Sequence, residues 1–197
     1  MIRRRIRPSA KGHGCELDLP ADERKLLEML PNELSVVLAG LDTTGPTPTN
    51  LKRLFPPAYV RDEAAQATYL QVTRAELLDS HKRALAVLSE TAEARSLDEE
   101  QMAGWMAALT ELRLVLGTVL GVADDAGWEP DEPAASDAVI YQYLTMLQAE
   151  LIDVMEKWLP DPVPGADDTV PDDPWGEPLG DLRWDGTQRP AWPPPPE

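Results

Sequence analysis

The stretch from Ser96 to Val122, SLDEEQMAGWMAALTELRLVLGTVLGV, decides the fold class of this chain. Its apolar residues Met102, Trp105, Leu109, Leu112, Leu116 and Val119 recur in steps of three and four, which is one stripe of a helix. Ser96 followed three residues later by Glu99 predicts a capping-box start. The opposite side carries Gly104, Ala107, Ala108 and Thr118, small enough for a second helix to come close. A helix apolar on one side and small on the other is expected to be packed on both. Arg113 falls inside the apolar sector, at about 100° per residue. A guanidinium aimed into a core needs a carboxylate, so a structural ion pair is expected, with Glu76, Asp79, Glu150 and Asp153 as candidates. A buried anion site is the alternative.

Outward from this stretch the same periodicity returns. Residues 137–159 repeat Ile140, Leu144, Leu147, Leu151, Val154 and Trp158, so the two late helices share a seven-residue repeat. An antiparallel pair inside one bundle is the simplest use of that repeat, and a homodimer seam is its rival. Before them, Leu27, Leu30, Leu34, Leu38 and Leu41 keep one face through Pro31, which predicts a kinked helix or two abutting ones. Leu54 and Phe55 read as apolar plugs before Pro56 and Pro57. A short helix is predicted over 62–72 and another from Thr73, whose pairing with Glu76 reads as a capping box, to about Ala94. The sum is a mainly α fold, a bundle of about five helices forming one domain over residues 1–159.

The chain opens with a predicted β-hairpin over residues 2–19. Ile2, Arg4 and Ile6 share one side of the first run, and Arg3, Arg5 and Arg7 the other. Cys15, Leu17 and Leu19 face one way in the second run, and Glu16 and Asp18 the other. If the apolar sides pair, the arginines meet the two acids as cross-strand ion pairs. Because Arg3, Arg5 and Arg7 outnumber those acids, a nucleic-acid-contacting arm built on Arg3, Arg4, Arg5 and Arg7 is the competing reading.

Charge restricts function more than composition does. The 197 residues carry a formal net charge of −17, and residues 123–197 hold 18 acids against Lys157, Arg183 and Arg189. Such a surface repels a phosphate backbone, so a broad nucleic-acid face is not expected. The single cysteine, Cys15, allows no disulfide within the chain, which suits a reducing compartment. The opening MIRRRIRP lacks the apolar core of a signal peptide, and no run approaches about 20 consecutive apolar residues. A cytoplasmic protein with no membrane association is expected.

No nucleophile elbow, phosphate loop, dinucleotide fingerprint or metal-ligand spacing is present, so no catalytic, cofactor-binding or metal residue is assigned and no enzyme is expected. His81 lies on an apolar stripe and His13 in a glycine turn, so His81 reads as a partly buried, hydrogen-bonded neutral ring. From Pro160 onward, 11 of 38 residues are proline and nine are acidic, which predicts a disordered tail over 160–197. Within it Trp175, Trp184 and Trp192, spaced by nine and eight, are candidate anchors for a protein partner.

Three stretches carry a family resemblance: LKRLFPPAYVRDE at 51–63, WMAALTELRLVLGTVLGV at 105–122 and YQYLTMLQAELIDVM at 141–155. Together with the basic opening strand they resemble an actinobacterial family long described as a domain of unknown function and, more recently, as AosR-like oxidative-stress transcriptional regulators. The resemblance covers about residues 2–158. It implies a redox-linked regulator acting through a protein such as a sigma factor or RNA polymerase, with direct DNA contact an open question. Where that family commonly has Asn-Asp before Leu-Arg-Leu, this chain has Thr110 and Glu111. A redox role would fall to Cys15, acting between chains or through a small adduct. The rival reading is an interaction adaptor or scaffold with neither a redox nor a DNA role.

Overall fold

The computed structural model describes residues 4–10, 12–41, 47–122 and 136–158. Arg3, the loop over 123–135 and the tail with Trp175, Trp184 and Trp192 lie outside the described residues. The described chain is mainly helical and contains four α-helices, not five: α1 (Ala21–Ala39), α2 (Glu63–Thr91), α3 (Glu99–Val119) and α4 (Ser136–Met155). Short 3-10 turns at Thr49–Leu51 and Glu156–Trp158 complete the helical elements.

The hairpin forms from β1 (Ile6–Pro8) and β2 (Cys15–Leu17), with Ile6 opposite Leu17 and Arg7 opposite Glu16. Ile6, Cys15, Leu17 and Leu19 are all buried, as the alternation required. A third strand, β3 (Ser96–Leu97), pairs antiparallel with β2, giving the sheet order β1-β2-β3. Gly14 makes that third pairing possible, because a Cβ there would stand 2.8 Å from the Leu97 carbonyl oxygen. Ser96 is therefore a strand residue and not a helix cap. The capping box of α3 starts two residues later: Asp98 accepts from the Gln101 amide at 2.8 Å, and Gln101 accepts from the Asp98 amide at 3.0 Å.

The helix count fell because the break expected at Thr73 is absent. α2 runs unbroken through Thr73, whose hydroxyl donates back to the Tyr69 carbonyl at 2.9 Å instead of capping a new helix. No Gly or Pro occurs between Glu63 and Thr91, so nothing stops propagation from the Asp62 cap, which accepts from the Ala65 amide. α1 likewise runs as one helix past Pro31, which is itself buried beside Leu27, Leu34 and Leu38.

α3 is the centre. It packs against α1, α2, α4 and the Thr49–Leu51 turn, and it buries Met102, Trp105, Ala108, Leu109 and Leu112. Gly104 sits where a Cβ would lie 2.6 Å from Val87, so the small side of α3 does admit α2 closely. α4 buries Leu144, Leu147, Leu151 and Val154 against this core, so the shared heptad stripes are used within the chain. The stripe of α3 fades at its C-terminal end, where Leu116 is half-buried and Val119 exposed. By length and hydropathy α3 could cross a membrane. Its contacts on three other helices mark it as a core helix, and no other described helix is long and apolar enough.

Candidate functional site

The basic strand is anchored to carboxylates. Arg4 pairs with Asp153 of α4, and Arg7 with Asp18 at 3.2 Å. Arg5 grips Glu23 of α1 through Nε and Nη2 at 2.7–3.1 Å, and the Tyr143 hydroxyl donates to the same carboxylate at 2.9 Å. Of the arginines expected to pair across the strands, Arg7 does so with Asp18, whereas Arg5 grips an acid of α1 and Arg3 lies outside the described residues. The backbone of the strand is held too: the Arg5 and Ile6 amides both donate to Glu150 Oε2, at 2.8 and 2.9 Å. Glu150 is buried, and it closes an edge of β1 that would otherwise expose unpaired amides.

Cys15 is fully buried on the inner side of the sheet. Burial pushes its thiol up to about 11, only partly opposed by the Leu97 backbone. A thiol with so little thiolate near pH 7 is a poor nucleophile. The folded protein is expected to react with Ellman's reagent at a small fraction of the rate seen in urea. Equal rates in the two states would contradict this.

Arg113 is half-buried on α3, and three of its contacts are to uncharged groups. Nε donates to Thr145 Oγ1 at 2.9 Å, a terminal nitrogen donates to the Gln148 side-chain oxygen, and the guanidinium lies 5.4 Å from the Tyr141 ring centroid. Of its proposed carboxylate partners, Glu150 instead serves β1 and Asp153 serves Arg4.

The polar cluster that sequence reasoning missed lies at the junction of α2, α3 and the segment before Pro56. His81 Nδ1 is 2.8 Å from Glu111 Oε1, and its Nε2 is 3.2 Å from the Leu54 carbonyl oxygen. The Phe55 ring meets the imidazole edge-on at 5.3 Å, and the guanidinium of buried Arg74 lies 5.7 Å from that ring's centroid. Both ring nitrogens of His81 face acceptors, so the doubly protonated imidazolium satisfies the site. Burial works against that charge, but the Glu111 hydrogen bond and charge, with the Leu54 carbonyl, raise the His81 pKa overall. Burial likewise raises that of Glu111. Its second oxygen, Oε2, is buried with no hydrogen-bond partner among the described residues. A pairing across 30 positions leaves no periodic trace in the sequence.

The sign of the pH effect follows directly. Both groups hold their protons more tightly folded than unfolded, so stability falls as pH rises, for His81 from about its ordinary 6.5 upward. Urea midpoints are expected to decline as pH rises above about 6.5 in the native chain and to be flatter in His81→Gln. An identical decline in the variant would remove His81 from the explanation.

The three stretches that carry the resemblance converge here. Leu54 and Phe55 contact His81 opposite Glu111, Arg53 donates to the Val122 carbonyl, and Arg113 reaches across to Tyr141 and Thr145. A family model matches residues 3–155, from the basic strand to the last residue of α4. The chain belongs to the DUF2017 family, a domain of unknown function. No curated protein and no solved structure matches it. The DUF2017 match thus covers the whole helical body and stops short of the acidic tail. Among the described residues of this DUF2017 domain, no group of three or more His, Cys, Asp or Glu could hold a metal ion.

Proposed function

We propose that this DUF2017 protein is a non-enzymatic, cytoplasmic transcriptional regulator of the oxidative-stress response that acts through a protein partner, a sigma factor or RNA polymerase. The regulatory class and the partner come from the resemblance carried by residues 51–63, 105–122 and 141–155. The observation that supports a protein route over a DNA route is the state of the basic strand. Arg4, Arg5 and Arg7 are each paired with a carboxylate, so the strand offers phosphate little unspent charge. Affinity purification from cells with and without peroxide tests the reading. RNA polymerase or a sigma factor should be enriched, with recovery changing on oxidation. Background proteins alone in both samples would count against it.

The adaptor reading has one observation in its favour, the inert environment of Cys15. Under that reading Cys15→Ser leaves partner recovery insensitive to peroxide, and changing Trp175, Trp184 and Trp192 to alanine removes the partners. Under the regulatory reading a redox signal reaches this protein through its partner, not through Cys15.

A further inference from the structure

Beside the sheet, the body carries a recess of about 530 Å³ that no part of the account so far uses. Its floor is apolar: Met106 of α3, Ile152 and Met155 of α4, and Trp158 of the following turn. Ile152 remains 42% exposed, so the apolar floor is open to solvent. His13 from the hairpin turn closes one end, its ring 5.5 Å from that of Trp158 and tilted against it. Glu99 and Glu156 complete the lining, both exposed. Among the described residues no Lys or Arg lines the recess.

We infer that this recess docks a basic amphipathic segment of a protein partner, one that inserts apolar side chains between flanking lysines or arginines. The inference rests on the protein-partner reading and adds the site and the chemistry of the segment. Two methionines and an isoleucine form a floor that adapts to the shape of inserted side chains. The two glutamates, on a chain of net charge −17, favour flanking cations and repel acidic segments. The same charges disfavour a second copy of this chain. A two-fold contact through the recess would set the Glu99 and Glu156 carboxylates of both copies around one apolar patch, with no Lys or Arg among the described lining residues to offset them.

Fluorescence anisotropy on the full chain tests this, using short labelled helical peptides with leucines at i and i+4 flanked by lysines, and matched peptides flanked by glutamates. The lysine peptides should bind, and binding should weaken as salt rises; the glutamate peptides should not bind. Ile152→Glu should lower affinity by about tenfold or more, since it sets a charge in the apolar floor. Joint Glu99→Lys and Glu156→Lys should invert the preference between the peptides. All three positions are open to solvent, so unchanged helical circular dichroism will separate loss of binding from loss of fold. Equal binding of the two peptide classes, no binding of either, or full affinity in Ile152→Glu would each overturn the inference. So would self-association of the native chain that Ile152→Glu abolishes. Polymerase recovery that survives Ile152→Glu defeats this docking site alone, whereas absence of polymerase from the native chain defeats the regulatory reading beneath it.

Discussion

Trp105→Ala should lower the unfolding free energy by about 3–5 kcal/mol, the largest effect of any single truncation in the body. Trp105 is fully buried at the middle of α3, and no smaller residue can fill its volume without moving the helices around it. Its indole also donates to Thr91 Oγ1 at 2.7 Å, tying α3 to the end of α2. For a domain of ordinary stability, about 5–15 kcal/mol, such a loss leaves little margin. Trp105→Phe keeps most of the apolar volume and drops the hydrogen bond, so a loss of about 1–2 kcal/mol is expected. Urea unfolding followed by circular dichroism distinguishes the two. A Trp105→Ala midpoint close to the native one would mean that α3 is not the centre of the core.

Glu150→Ala should destabilise by about 2–4 kcal/mol and act locally before it acts globally. The carboxylate accepts from two consecutive amides of the basic strand, Arg5 and Ile6, in a buried setting. Removing it leaves both donors without an acceptor in a place where water reaches poorly. Exchange of those two amides should accelerate strongly while amides in the middle of α3 keep their protection until global unfolding. Glu150→Gln retains an oxygen acceptor and should fall between the native chain and the alanine variant. Unchanged protection at Arg5 and Ile6 would show that the strand is held by its hairpin alone.

The helical body was legible because its signal is periodic. Leu109 and Leu112 on α3, and Leu144, Leu147 and Leu151 on α4, sit where a repeat of three and four puts them, and burial rewards that spacing directly. Gly104 was legible for a similar reason, since a small residue among large ones marks a close approach. Short-range motifs read less well. Ser96 with Glu99 and Thr73 with Glu76 both match a capping box, yet one begins in a strand and the other lies inside a helix. A cap needs the chain to leave helical conformation before it, and four residues cannot report that. The two-residue strand Ser96–Leu97 has no periodicity to see; it exists because Gly14 lets its backbone come close.

The site was legible only in part. Alternation in the first hairpin run set Ile6 inward, but it could not show that Glu23 and Asp153, on two different helices, would take up Arg5 and Arg4. Arg113 was expected to meet a carboxylate by a sound rule for buried charge. It is half-buried, and its contacts include a hydroxyl, an amide oxygen and an aromatic face. His81 is partly buried and hydrogen-bonded as expected. Against the effect of burial, acceptors at both ring nitrogens raise its pKa and work against the neutral ring that was expected. Its partner Glu111 could not be named without the packing of α2 on α3.

The central claim is that this DUF2017 protein works by contact with another protein and not by gripping DNA. The most direct measurement is a pair of titrations with the purified chain near physiological salt, one against a labelled promoter duplex and one against RNA polymerase holoenzyme. Binding to the polymerase and none to the duplex is the expected result. Duplex binding that persists above physiological salt, and that disappears when Arg3, Arg4 and Arg5 are changed to alanine, would contradict it.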